Sequence, residues 1–265
     1  MNRIKVLVSG ASGRMGREVI KAVLAAEDLQ LVAAVDVKYT GTDVGYLVGL
    51  EPVGVKIHED LTATINESNP EVMVDFTNPQ AVLKNIKIAL ENKVHPVVGT
   101  TGLTDEETKE IQQLSEEKAT SVFIAPNFAI GAVLMMKFAQ EAAKYFPHAE
   151  VIELHHDEKL DAPSGTAIKT LEMISEVREE RRQGHINEYE KITSSRGGNY
   201  QGMRVHSVRL PGLVAHQEVI FGDLGQTLTI RHDSINRESF APGIVLAIRN
   251  VQKLTGLVYG LEKIM

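Results

Sequence analysis

The chain is expected to be an α/β protein. A doubly wound parallel sheet, completed by both chain ends, is interrupted by an α+β domain with a mixed or antiparallel sheet. Three observations predict this. Short apolar runs alternate with helical patterns up to Phe128. After Val151 the pattern changes to closely spaced strands punctuated by Pro and Gly. From about residue 236 the α/β character returns. The expected domains are therefore 1–128 with 236–265, and 129–235.

The first strand, Lys5–Val8, runs directly into Ser9-Gly10-Ala11-Ser12-Gly13-Arg14-Met15-Gly16, and Arg17–Ala26 then has helical periodicity. Strand, glycine turn and helix in that order are the context a dinucleotide fingerprint requires. Small residues let the backbone approach a pyrophosphate, and the helix N-terminus presents N–H groups to it. Any tight βα turn has a similar look, but here a second strand, Leu29–Val35, ends in Asp36, where a ribose-binding acid belongs. Asp36 would accept hydrogen bonds from ribose hydroxyls and so favours NADH. Lys38 is either a solvated loop residue or a partner for a 2′-phosphate, which leaves NADH or NADPH open.

Residues 39–59 lack a clear period and read as a loop with at most a short strand. Leu61–Glu67 reads as a short helix and Val72–Thr77 as a buried strand. Asn78-Pro79 opens a helix over 80–92. Val94–Val98 is the next strand, ending in Gly99-Thr100-Thr101-Gly102 at the carboxyl end where open α/β sheets bind ligands. A nicotinamide-side contact there competes with a plain turn capped by Thr104 or Asp105. A helix over 106–118 leads to the strand Ser121–Ala125, followed by Pro126-Asn127-Phe128 at another carboxyl end.

Residues 129–146 form a long helix, apolar over most of its circumference, and are expected to be buried. The strand 149–154 leads into a polar loop, and Thr166–Arg182 is expected to be helical, its charge run Glu176–Arg182 a solvated helix face. Residues 184–202 read as a long loop. Met203–Leu210, Ala215–Phe221 and Gln226–Ser234 then read as an antiparallel meander. Alternation in 204–209 puts Arg204, His206 and Val208 on one face and Val205, Ser207 and Arg209 on the other. A helix from about Ser239 to Gly256 and a short strand or turn over 257–264 return to the first domain.

Composition narrows the function. Without cysteine there is no disulfide, thiolate metal site or thiol nucleophile, which excludes dehydrogenases that pair a dinucleotide domain with a catalytic cysteine. A net charge of −7 argues against nucleic-acid binding, so an anionic substrate needs a local cationic pocket. No apolar run approaches membrane-spanning length. The opening residues are strand-like and too short for a secretory signal, so no membrane association and a cytoplasmic location are expected.

The chemistry concentrates in Glu153-Leu-His155-His156-Asp-Glu-Lys159-Leu-Asp161-Ala-Pro163-Ser-Gly165-Thr166. His155 can exchange a proton near neutral pH, and Lys159 can serve as an acid or pair with a carboxylate. Pro163–Thr166 opens a helix whose amides can hold a carboxylate. Adjacent strand residues face opposite ways, so His155 and His156 share a pocket only if the strand has ended. The irregular spacing of His-His-Asp-Glu, without cysteine, gives no metal site. A cofactor sensor would have no use for such a cluster, which favours an enzyme.

These residues resemble the signature of the 4-hydroxy-tetrahydrodipicolinate reductase family, formerly called dihydrodipicolinate reductase. Gly10–Gly16, Gly99–Gly102 and Ala125–Phe128 recur in that family in the same order, and the resemblance covers the whole chain. It implies a Rossmann-like domain, an inserted substrate domain and a homotetramer. It also implies NADH- or NADPH-dependent reduction of a small cyclic dicarboxylate, 4-hydroxy-tetrahydrodipicolinate, with loss of water, in lysine and diaminopimelate biosynthesis. His155 and Lys159 then carry the protons, and His156, Gly165 and Thr166 contact substrate. Cofactor contacts fall on Gly10, Ala11, Ser12, Gly13, Arg14, Met15, Asp36, Lys38, Gly99, Thr100, Thr101, Ala125, Pro126, Asn127 and Phe128. Two departures stand out: Asp36-Val37 where many members have Glu-Arg, and Asp157-Glu158 where many have a basic residue.

Overall fold

The computed structural model describes residues 3–265. The chain divides into two compact units, one running to Phe128 and resuming over Arg237–Met265, the other Ala129–Asn236. In chain order the first stretch is β1 (Ile4–Ser9), α1 (Arg14–Ala25), β2 (Leu29–Val35), α2 (Val44–Leu47), β3 (Ile57–His58) and α3 (Leu61–Ser68). It continues through β4 (Val72–Asp75), α4 (Pro79–Glu91), β5 (His95–Val98), α5 (Asp105–Lys118) and β6 (Val122–Ile124). The inserted unit contributes α6 (Ile130–Ala143), β7 (His148–His155), α7 (Gly165–Ser175), β8 (Gly198–Tyr200), β9 (Met203–Arg209), β10 (Ala215–Asp223) and β11 (Gln226–Ser234). The return segment is α8 (Ala241–Val251) and β12 (Leu257–Tyr259).

The first unit is a seven-stranded parallel sheet in the order β12-β6-β5-β4-β1-β2-β3. The strand order reverses direction at β1, the position where doubly wound sheets open a ligand crevice. Its central strands are buried on both faces: Val6, Leu7 and Val8 in β1 and Val72, Met73 and Val74 in β4 have no exposure. Helix starts follow local chemistry. Asn78 caps α4 through the amides of Gln80 and Ala81, and Thr104 and Glu107 form a reciprocal capping box at α5. The glycine turn is different: Gly13 caps α1 with no side-chain bond, which leaves that end to a ligand. In the segment read as a loop, Asp43 gathers the amides of Gly45, Val53 and Gly54 on its carboxylate and holds the short α2.

The second unit is a five-stranded mixed sheet in the order β11-β10-β7-β9-β8. One face carries Val151, Val205, Val219 and Phe221, packed against Ala139 of α6 and Leu171 and Ile174 of α7. Two expectations are corrected here. The three later strands are not a meander, because β7 sits between β10 and β9 and pairs with β9 in parallel. Alternation says which face a residue occupies, but it is the same for any neighbouring strand.

The second correction concerns α7, which stops at Ser175, so the charge run Glu176–Arg182 is not a helix face. Its chain is drawn in by Arg178, whose guanidinium donates to the carbonyls of Pro147 (2.9 Å) and Gln201 (3.2 Å). The buried Gln183 donates to the carbonyl of Ala149 (3.0 Å) and accepts from its amide (2.7 Å), standing in for a strand partner. The expected long loop also contains β8. On α6 the buried residues form one face, and Phe138 is 55% exposed.

Candidate active site

In the first unit the glycine turn is shaped by close approach. Gly10 has φ +79°, and a Cβ there would lie 2.5 Å from the Phe76 carbonyl oxygen. A Cβ on Gly16 would lie 2.0 Å from the carbonyl oxygen of Gly10. Only glycine lets β1, α1 and the end of β4 come this close. Beside them lies a cavity of about 920 Å³, its wall including Gly10, Ser12 and Gly13 of the turn, Asp36 after β2, and Phe76 and Thr77 after β4. The Asp36 carboxylate accepts from the Ser12 amide through one oxygen (2.9 Å) and from the Lys38 amide through the other (3.0 Å). An acid is thus fixed at the rim of a backbone cradle whose helix end has no side-chain cap. That arrangement fits a dinucleotide, with the pyrophosphate at the amides and a ribose at the acid.

The expected cofactor residues separate by place. Gly10, Ser12, Gly13, Asp36 and Lys38 line the cavity. Ala11 is buried beneath it, while Arg14 is exposed and Met15 half-buried on the first turn of α1. Gly99–Thr101 and Ala125–Phe128 lie at the ends of β5 and β6 and group around Phe76. A Cβ on Gly99 would meet the Phe76 ring at 2.1 Å, and the Phe76 and Phe128 ring centroids are 5.7 Å apart. Ala125 and Phe128 are buried, Asn127 half-buried, and Thr101 and Pro126 exposed.

One residue here escaped the sequence reading. Asp75 is fully buried at the end of β4. It accepts from the hydroxyls of Thr77 (2.8 Å) and Thr100 (2.8 Å) and from the Asn85 amide group (2.8 Å). It ties the loops after β4 and β5 together, and a charge closing the apolar run Val72–Val74 was its only signal. Lys84 and Asn85 of α4 also reach the cavity wall.

In the second unit β7 ends at His155, so His156 lies past the strand and is half-buried. Glu153 and His155, two apart, share a face of β7. Glu153 is fully buried, and its Oε2 contacts His155 Nδ1. Arg209, opposite His155 on β9, grips the same carboxylate with both terminal nitrogens at 2.8 and 2.7 Å. The amide of Ser164 donates to Oε1 at 3.2 Å. Burial alone would raise the Glu153 pKa, but hydrogen bonds from His155, Arg209 and Ser207 overcome it and bring it down to about 2. Glu153 is therefore ionised throughout the working range, and it holds the Arg209 pKa up in turn.

Lys159 pairs with Asp161 at 2.7 Å, an ion pair that holds the Asp161 carboxyl below its ordinary range. The Asp161 carbonyl accepts from Arg209 at 2.8 Å, which connects the lysine turn to the Glu153 cluster. Ser164 caps α7 by accepting from the Ala167 amide at 3.2 Å, and Gly165, exposed, opens the helix with Thr166 half-buried behind it. A Cβ on Gly165 would meet nothing within 4 Å, so the helix end is open to a ligand. Asp157 and Glu158 point to solvent. Among the described residues no group of His, Cys, Asp and Glu is arranged to hold a metal ion. Arg209, through its grip on Glu153, completes a cluster of which the sequence singles out the histidine, the lysine and the helix start that contains Ser164.

Comparison with known proteins identifies the family of the chain. The family model described as dihydrodipicolinate reductase, N-terminus, matches residues 4–128, and that for the C-terminus matches 131–265. The chain belongs to the dihydrodipicolinate reductase family. A 4-hydroxy-tetrahydrodipicolinate reductase of Desulfitobacterium hafniense is 59% identical over the full length of both chains. One from Halalkalibacterium halodurans is 54% identical over 99% of each chain. Among solved structures, dipicolinate-bound dihydrodipicolinate reductase from Paenisporosarcina sp. TG-14 superposes with a TM-score of 0.90 at 47% identity. That match covers 99% of this chain and 100% of the other. Among the described residues no helix is long and apolar enough to cross a membrane.

Proposed function

We propose that this chain reduces 4-hydroxy-tetrahydrodipicolinate to tetrahydrodipicolinate and water, using NADH or NADPH, in lysine and diaminopimelate biosynthesis. The observation that carries this reading is the identity to relatives with that name, 59% over the whole of both chains. Enzymes of this family are nicotinamide-dependent oxidoreductases, and the glycine cradle, open helix end and fixed Asp36 suit that cofactor. When bound, a reduced nicotinamide supplies the hydride.

The residues of this chain do the rest. Gly10–Met15 and Asp36 hold the cofactor, together with the loops Gly99–Thr101 and Ala125–Phe128, which pack around Phe76. Asp36 suits the unphosphorylated ribose of NADH, while Lys38 and Lys84 on the same cavity suit the 2′-phosphate of NADPH. The dipicolinate in the Paenisporosarcina structure supports a dicarboxylate as the ligand of this chain. A dicarboxylate is held by the α7 N-terminus at Gly165 and Thr166, by His156, and by Lys159 when it leaves Asp161. His155 and Lys159 move the protons that accompany reduction and loss of water. We further propose a cytoplasmic homotetramer.

The test follows nicotinamide absorbance with freshly generated substrate in wild type, His155→Ala and Lys159→Ala. The wild type is expected to oxidise NADH or NADPH, and each variant to lose roughly 10²–10⁴-fold in kcat. No oxidation of either cofactor by the wild type sinks the reading, and full turnover in both variants removes the roles given to these residues.

A further inference from the structure

Glu153 is a buried carboxylate to which no task has been assigned. Five groups serve its two oxygens: His155 Nδ1 and one Arg209 nitrogen on Oε2, the other Arg209 nitrogen and the Ser164 amide on Oε1, and the Ser207 hydroxyl, which also donates to the carboxylate. An ionised carboxylate only accepts, so the imidazole nitrogen facing Oε2 carries a hydrogen in the neutral ring as well as the charged one. Nε2 is then the nitrogen whose lone pair is available. The arginine fork fixes the plane of the carboxylate and offsets its charge. The Ser164 amide ties the same carboxylate to the cap of α7. One side chain thus sets the histidine relative to the helix end that faces a substrate carboxylate.

We propose that Glu153, clamped by Arg209, is a positioning residue that holds His155 in the Nδ1–H tautomer and makes Nε2 the atom through which its proton is exchanged. The turnover arm of this idea rests on the reductase reading above; the tautomer itself does not. The charged groups around His155 are Glu153 on its own strand, Arg209 on β9, and the Lys159–Asp161 pair joined to Arg209 through the Asp161 carbonyl. From β10 the residue in register is the uncharged Ala215.

Glu153→Gln separates positioning from bulk. A glutamine has one acceptor oxygen, and Arg209 requires it, so the amide NH₂ turns toward His155. Nδ1 must then accept, and the hydrogen moves to Nε2. Nitrogen NMR of ¹⁵N-histidine-labelled full-length protein reads the tautomer directly, with the His155 signals assigned from their loss in His155→Gln. The wild type is expected to show Nδ1–H and a bare Nε2. In Glu153→Gln the reverse tautomer is expected, with kcat down by about 10²–10⁴-fold and an acid limb of the rate profile displaced to lower pH. The KM for the nicotinamide cofactor stays within about twofold, since Glu153 belongs to the other unit. Arg209→Lys, which keeps the charge but loses the fork, is expected to lower kcat about tenfold.

A wild-type ring with its hydrogen on Nε2 overturns the proposal whether or not any variant folds. So does a Glu153→Gln enzyme with the wild-type tautomer or pH profile. Full activity in Arg209→Lys overturns the clamp. A wild type that shows Nδ1–H but turns over no substrate sinks the reductase reading and leaves the tautomer assignment standing.

Discussion

Glu153 keeps its charge at a position without access to water, a placement that costs several kcal/mol unless partners compensate. The compensation makes folding depend on pH. Its carboxyl sits at about 2 in the folded chain against an ordinary value of 4.5, so the unfolded chain takes up the proton first on acidification. The stabilisation is fully present above pH 4.5 and is lost as pH falls toward 2, in all on the order of 3 kcal/mol. Urea unfolding at pH 6, 4 and 3 is expected to show the wild type losing its advantage over Glu153→Gln as pH drops. A gap between the two that is the same at every pH would refute the linkage. The sequence made His155 and Lys159 legible because imidazole and ammonium groups announce proton chemistry by type. It did not make Arg209 legible, because its partner is 56 residues away and only the register of β7 against β9 brings the two together.

At the level of elements, what could be read was whatever local chemistry decides. Asn78-Pro79, Thr104 with Glu107, and the glycine turn each announce a helix start through groups within a few residues. The α7 end was misjudged for the opposite reason. Charged residues from Glu176 to Arg182 suit a helix surface, yet tertiary bonds from Arg178 and Gln183 take precedence over propensity. Gln183 is one such tertiary partner. Ala149 is 1% exposed, and both its backbone groups depend on this one side chain at the margin of the β7–β9 pairing. Gln183→Leu leaves a buried donor and acceptor unpaired, at a cost of about 2–4 kcal/mol. Calorimetry should show a drop in melting temperature of roughly 4–15 °C, with Gln183→Glu intermediate because it keeps the acceptor alone. A leucine variant that melts with the wild type would mean that another group completes the strand.

Over the whole molecule, the alternation of strands and helices made the parallel sheet and its interruption readable, and the return of α/β character near the C-terminus signalled a return to the first unit; that β12 pairs with β6 there is a finding of the structure. The strand order of the inserted sheet was not readable, since pairing β7 with β9 in parallel needs a crossover that leaves no local signature. That order has a consequence for assembly. Helices α6 and α7 cover one face of the sheet, so the opposite face, with Ile152, Leu154, Val208 and Ile220 among Glu150, His206, Glu218 and Arg231, has no helix of its own unit against it. At its margin β11 pairs with β10 alone, so its other edge has no strand partner. A long edge strand beside an apolar stripe is a surface that native chains cover. This supports the proposed homotetramer, built through the sheet of the inserted unit. Sedimentation velocity at micromolar concentration is expected to give four times the chain mass. Ile220→Lys sets a charge in the middle of the stripe, beside Thr229 and Glu150 in register, and should shift the protein to smaller species while the binding of the nicotinamide cofactor expected of the first unit, NADH or NADPH, is unchanged. A tetramer that survives Ile220→Lys would place the contact on some other surface. A wild type that sediments as a single chain would remove the assembly altogether.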